Sequence, residues 1–220
     1  MENFYILSHV DHTLLAPTAT WGAIDKLCIE SLEYKTASVC IPPCYVKRVR
    51  SAYPKLVICT VIGFPLGYDM LAIKALAAQA SIEEGADEID MVINVTDVKN
   101  NEFERVKTEI QVLKQIVGDN ILKVIIETCY LTEEEKIAMC KVVTQSGADY
   151  IKTSTGFGTA GATLEDIELF NANIGPAVKI KAAGGIRTKE DMVAFLEAGC
   201  SRLGTSSAVK ILAGGEGGGY

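Results

Sequence analysis

Short runs of apolar, largely β-branched residues alternate along this chain with longer stretches whose apolar positions recur at helical spacing. Eight runs read as strands: 6–14, 37–41, 57–63, 88–93, 122–127, 150–153, 178–182 and 202–204. Most are hydrophobic throughout rather than strictly alternating, as strands covered on both faces are. The stretches between them carry helix signals. Thr20 is placed to cap a helix over 21–32, and Asp69 one over 70–83. Thr132-Glu133-Glu134-Glu135 has capping-box spacing, and Thr163 and Thr188 open two further helices. Three helices run into Glu84-Gly85-Ala86-Asp87, Ser146-Gly147-Ala148-Asp149 and Ala198-Gly199-Cys200-Ser201. Each phrase offers a glycine for a left-handed turn just before a strand.

Eight strand–helix alternations without a composition break predict an α/β fold, a single (β/α)8 TIM barrel over 1–213. An open doubly wound sheet is the other architecture such a pattern allows. The glycine-rich segment 214–220 reads as a frayed, flexible C-terminal tail, or as a strap that carries Tyr220 over the site.

Composition narrows the function. A formal net charge of −7 with no Lys/Arg run excludes a nucleic-acid footprint. No stretch approaches the roughly 18 apolar residues of a membrane span, and the N-terminus has no signal-peptide pattern. Seven scattered cysteines, with three residues between Cys40 and Cys44, form neither a disulfide framework nor a CxxC motif. The expected setting is therefore cytoplasmic, with reduced and mostly buried thiols. His9 and His12 are the only histidines, with Asp11 and Cys40 as their nearest candidate companions. That ligand set is too thin for a catalytic metal, and none is expected. Ser206 and Ser207 lack a histidine base, and Phe64-Pro65-Leu66-Gly67 is a turn rather than a phosphate loop.

Barrel chemistry sits at the C-terminal ends of the strands. The polar groups expected there are Asp11, His12 and Thr13 on the first strand, Cys40 on the second, Thr60 on the third, and Asp90 and Asn94 on the fourth. The fifth ends in Glu127-Thr128. Lys152 lies on the sixth, and Lys179 and Lys181 share one face of the seventh. Lysines on apolar strands are costly to bury unless paired. Burial and a second cation both favour the neutral amine that adds to a carbonyl. Position nearer the strand end favours Lys181 over Lys179 as that cation. The competing reading is a structural ion network with Asp90, Glu127 or Asp11. Gly184-Gly185 and Gly204-Thr205-Ser206, after the seventh and eighth strands, stand where barrels often bind phosphate.

At Val10-Asp11-His12-Thr13-Leu14-Leu15, Glu88-Ile89-Asp90-Met91-Val92, Tyr150-Ile151-Lys152-Thr153-Ser154-Thr155-Gly156-Phe157, Lys181-Ala182-Ala183-Gly184-Gly185-Ile186-Arg187 and Gly204-Thr205-Ser206, the sequence resembles the DeoC family of deoxyribose-phosphate aldolases. These phrases span nearly the whole chain. The resemblance implies a TIM-barrel class I aldolase that reversibly cleaves 2-deoxy-D-ribose 5-phosphate to D-glyceraldehyde 3-phosphate and acetaldehyde, in deoxyribose phosphate breakdown. It implies no metal, no organic cofactor, and a homodimer. It places the Schiff-base lysine on Lys152, proton transfer on Asp90 and Lys181, and phosphate contacts on Gly184, Gly185, Gly204 and Ser206. Asp11, Cys40 and Thr155 are supporting candidates. A metal-free phosphosugar isomerase or epimerase with Asp90 as base, and a phosphosugar-binding barrel without chemistry, are the alternatives.

Overall fold

A computed structural model describes residues 1–215. Segment 216–220, with Tyr220 and the proposed strap, lies outside the described residues. Eight parallel strands close in sequence order into one barrel: β1 (Val10–Thr13), β2 (Ser38–Ile41), β3 (Ile58–Ile62), β4 (Glu88–Val92), β5 (Ile121–Ile125), β6 (Tyr150–Lys152), β7 (Lys179–Ala183) and β8 (Arg202–Thr205). The expected closed barrel is thus the fold, and the open sheet is set aside. No helix among the described residues is long and apolar enough to cross a membrane.

Strand pleating divides the side chains. Outward positions such as Val39, Ile58, Ile89, Val124, Ile151 and Ile180 join the main core, between the barrel and its helices. Inward positions meet their neighbours in register: Cys40 opposite Cys59, Asp90 opposite Lys123, Lys152 opposite both Lys181 and Ile125, and Lys181 also opposite Arg202. The barrel lining is therefore largely polar, while the layer outside it is apolar.

Thr20, Thr132, Thr163 and Thr188 all cap their helices through the side chain, with capping boxes completed by Glu135 and Asp191. The three αβ turns place Gly85, Gly147 and Gly199 at φ 106°, 77° and 106°. Two expectations fail. Residues 6–14 are not one strand: Asn3–Leu7 is a short helix that packs on the helices Lys189–Glu197 and Ala208–Leu212 and buries Ile6 and Leu7, and β1 begins at Val10. Asp69 does not cap Leu71–Glu83, because the extended Met70 takes the N-cap position and leaves Asp69 one residue too early.

The loop after β3 folds back over the barrel mouth. Gly67 donates its N–H to the Gly63 carbonyl at 2.7 Å. It adopts φ 76°, and a Cβ there would collide with the Ile93 carbonyl oxygen and lie 2.9 Å from Val92 Cγ1. Gly67→Ala should therefore cost at least about 2 kcal/mol, through left-handed strain plus a backbone clash. A urea midpoint indistinguishable from that of the parent chain would refute this packing.

Candidate active site

Asp90 lies at the centre of the barrel lining, fully buried, with both carboxylate oxygens occupied. Oδ2 accepts from Lys152 Nζ at 2.7 Å and from Lys181 Nζ at 2.6 Å. Oδ1 accepts from Lys123 Nζ at 2.9 Å and from Cys59 Sγ at 3.1 Å. Burial opposes the charge on Asp90 more than any other single influence. The ammonium groups of Lys123, Lys152 and Lys181 together outweigh it and hold this carboxyl well below the usual carboxylate range.

A second carboxylate ties the cluster to the barrel floor. Asp11 accepts from Lys181 Nζ at 2.5 Å through Oδ2, and from Ser38 Oγ at 2.7 Å and Arg202 at 2.5 Å through Oδ1. Its carboxyl is likewise held far down: burial opposes, but Lys181, Lys123 and Arg202 prevail. Between two carboxylates Lys181 stays a cation, since Asp11 and Asp90 raise it well above the ordinary lysine range against the opposing effect of burial. Glu88 completes the network with Lys123 at 2.5 Å and Arg202 at 3.0 Å. Formally, three carboxylates face four cations here, so this pocket carries positive charge within a chain of net charge −7.

Lys152 stands highest in this cluster, at the C-terminal end of β6, and it alone of the three lysines reaches the open cavity. That cavity, of about 170 Å³, is also lined by Thr155, Gly184, Gly185, Gly204 and Ser206. The lysine and every residue expected to contact phosphate therefore share one space. Gly204 leaves room for Lys181, whose Cε would lie 3.1 Å from a Cβ at that position. Gly184 packs against Gly161 so closely that a Cβ on Gly161 would overlap the Gly184 carbonyl. Thr155 is fixed from below by Glu127, whose carboxylate accepts from the Thr155 amide at 3.1 Å and also from its hydroxyl. Glu127 holds an unfavourable left-handed conformation, φ 52°, at the end of β5. Burial pushes its carboxyl up, against the Thr155 hydrogen bonds.

The structure brings together Lys152, Asp90, Lys181 and Asp11, and it settles the choice on β7. Lys181 is buried in the cluster, whereas Lys179 is exposed at the opposite end of the strand, with Nζ 5.8 Å from the Tyr150 ring centre. Cys40 lines the barrel beside Cys59 rather than the open cavity. His12 points away from Asp11 and bonds Glu30 at 2.9 Å, Thr60 donates outward to the Ile41 carbonyl, and Asn94 caps the helix Val95–Lys99. Burial depresses His12 against the opposing pull of Glu30.

Sequence reasoning missed Lys123, Cys59, Glu88 and Arg202. Lys123 carried the same signal as Lys152, a lysine inside an apolar strand, but it lies one layer below the strand ends. Arg187, which also lines the cavity, was quoted only within a motif. Donor atoms of Cys40, Cys59 and Asp90, and of Asp11, Cys59 and Glu88, come within 4.8 Å of one another. The lysines interleaved with both sets oppose a dication there.

A family model described as DeoC/LacD family aldolase matches residues 6–212. A deoxyribose-phosphate aldolase from Clostridium botulinum (strain Eklund 17B / Type B) is 62% identical over the full length of both chains. One from Clostridioides difficile (strain 630) is 56% identical, covering 94% of this chain and 95% of its own. A solved deoxyribose phosphate aldolase from Aeropyrum pernix, described as tetrameric, superposes with a TM-score of 0.88 at 32% identity, covering 96% of this chain and 91% of that one. With these matches running along nearly its whole length, the chain belongs to the DeoC/LacD family of aldolases.

Proposed function

We propose that the chain is a class I deoxyribose-phosphate aldolase, cleaving 2-deoxy-D-ribose 5-phosphate reversibly to D-glyceraldehyde 3-phosphate and acetaldehyde through an imine on Lys152. The observation that carries this reading is the single oxygen, Asp90 Oδ2, shared by a cavity-facing lysine and a buried cationic one. The names of the full-length relatives supply the substrate.

The cycle follows from that shared oxygen. Lys152 passes a proton to Asp90, and the free amine adds to the C1 aldehyde. One of the three cations that hold the Asp90 carboxyl down is thereby gone, so its proton affinity is highest at this neutral stage. The proton returns to the carbinolamine hydroxyl, water leaves, and a protonated imine forms beside Asp90. Positive charge next to the carboxylate is then restored. The imine is an electron sink: the C2–C3 bond breaks, the C3 hydroxyl gives its proton to Asp90, directly or through a water, and an enamine remains on Lys152. Protonation at C2 and addition of water release acetaldehyde. Lys181, held as a cation by Asp11, orients Asp90 throughout and donates to it.

Gly184, Gly185, Gly204 and Ser206 would hold the phosphate with backbone N–H groups and a hydroxyl, with Arg187 adding charge at the rim. That anchor supplies binding energy remote from the reacting bond and aligns C1 with Lys152. Glu127 and Thr155 shape the wall beside the lysine. We assign the reaction to deoxyribose phosphate breakdown in the cytoplasm, by a homodimer that needs neither metal nor organic cofactor.

Incubation with acetaldehyde and sodium borohydride should add about 28 Da, an ethyl group, mapping to Lys152. An active, folded protein left unlabelled would transfer the barrel to the isomerase reading, and binding of the phosphosugar without turnover would leave only a binding barrel. Lys152→Ala should remove turnover to background; more than a trace of activity retained would overturn its covalent role. Lys181→Met should lower kcat by at least about 100-fold, and a kcat within twofold of the parent would exclude it from the proton path. Ser206→Ala should reduce kcat/KM for the phosphorylated substrate about tenfold while acetaldehyde trapping continues. An equal loss in both assays would place Ser206 outside a phosphate site.

A further inference from the structure

The β2–β3 side of the barrel lining carries two thiols that the aldolase cycle does not use. Cys40 and Cys59 are register partners on adjacent parallel strands, and both face inward. Leu15, Val61 and Phe64 pack around them. Strand neighbours lie about 4.8 Å apart, within the roughly 4.4–6.8 Å between Cα atoms that a disulfide spans. The two sulfurs lie within 4.8 Å of each other, and both residues are free thiols that are essentially fully buried. Cys59 also touches the catalytic centre: its Sγ lies 3.1 Å from Asp90 Oδ1 and 3.3 Å from Lys123 Nζ.

The pair is chemically unequal. Contact with Cys59, joined by the nearby charges of Lys181 and Lys152, holds Cys40 below the usual thiol range despite burial and Asp90. Burial, together with the neighbouring Cys40 and Asp90, pushes Cys59 well up. Cys40 is therefore the nucleophilic sulfur and Cys59 the resolving one. The substrate cavity approaches the pair to within one side chain, because Leu15 both lines that cavity and packs on the thiol cluster. A small molecule entering beside Lys152 meets the pair across one side chain. Of the other thiols, Cys44 is exposed and Cys129 half-buried on loops beyond the strand ends, and neither has a strand partner.

We propose that Cys40 and Cys59 form an oxidation site, at which a small hydroperoxide closes them into an intramolecular disulfide and slows the aldolase by removing the Cys59 thiol from Asp90. In the first step the Cys40 thiolate attacks the peroxide, the O–O bond breaks, and Cys40 becomes a sulfenic acid while an alcohol, or water from hydrogen peroxide, departs with the former thiol proton. In the second, the Cys59 sulfur attacks the sulfenic sulfur. The S–S bond forms, hydroxide leaves, and the Cys59 proton converts it to water. The two sulfurs together lose two electrons, which the peroxide oxygens gain. Asp90 then keeps its three lysines but loses its fourth donor, and its Oδ1 side is left to Lys123 alone. Proton transfer suffers while the phosphate anchor, on the opposite side of the lining, does not. The effect on turnover rests on the aldolase reading; the disulfide does not.

The test is graded hydrogen peroxide treatment of the intact, previously reduced protein, followed by non-reducing peptide mapping and a turnover assay. The expected product is about 2 Da lighter, with Cys40 and Cys59 peptides cross-linked. Its kcat should be about tenfold lower, with KM for the phosphorylated substrate within twofold, and dithiothreitol should restore both mass and kcat. In Cys59→Ser, and separately in Cys59→Ala, the cross-link should be absent, and excess peroxide should carry Cys40 on from sulfenic to sulfinic acid, which dithiothreitol does not reverse. Inactivation with only sulfinic acid on Cys40, a cross-link involving Cys44 or Cys129 instead, or a Cys40–Cys59 cross-link with unchanged kcat would each overturn the proposal. If the untreated protein has no aldolase turnover, the functional reading falls, and mapping alone still decides whether the two sulfurs pair.

Discussion

A carboxylate with no access to water must be neutral or surrounded by donors, and Asp90 is surrounded. Three lysines and a thiol converge on its two oxygens from β3, β5, β6 and β7. Burying an unpaired charge in a protein interior costs several kcal/mol, and removing one partner of a buried ion set is comparably expensive. The closed barrel makes such a centre possible, because it aims inward-facing residues from all eight strands at one axis. The apolar positions on the outer faces, packed against the helices, hold that polar interior in place.

The remaining features follow from this centre. Because Asp11 and Asp90 both hold Lys181, its charge persists, and Asp90 is oriented from below. Since Lys152 is the one lysine of the set that reaches the cavity, the proton it shares with Asp90 is coupled to whatever the cavity admits. The surplus of formal positive charge beneath a glycine-lined rim suits a phosphorylated aldehyde in an otherwise acidic protein. The same convergence leaves Cys59 touching Asp90 at Oδ1 with Cys40 beside it, so oxidation of the pair, as proposed, would remove a donor from that carboxylate.

Much of this was legible in the sequence, for identifiable reasons. Charged residues inside apolar strands, Lys152, Lys181 and Asp90, stand out because their burial demands partners. The repeated glycine phrases and the threonine caps have local physical causes, and they hold in the structure. Residues 6–14 were misread because a short apolar run carries no period that separates a strand from a helix turn joined to a strand. Lys123, Glu88 and Arg202 escaped notice because attention fell on strand ends, whereas the network extends a layer deeper to satisfy Asp11 and Asp90. Cys59 was invisible for a different reason. A cysteine in an apolar strand is ordinary, and its meaning comes from the register that sets it beside Cys40 and from the thiol's reach to Asp90 two residues along the next strand from its own partner, Glu88.

The central claim, a Lys152 imine whose protons are moved by Asp90, is tested most directly by exchange of the methyl protons of acetaldehyde in deuterated water, followed by proton NMR. The iminium and enamine interconvert by gaining and losing a proton at C2, so the parent enzyme should wash deuterium into the methyl group without any phosphorylated partner. Asp90→Asn should slow that exchange by at least about 100-fold. No exchange above the uncatalysed rate with the parent enzyme, or an unchanged rate in Asp90→Asn, would contradict the account.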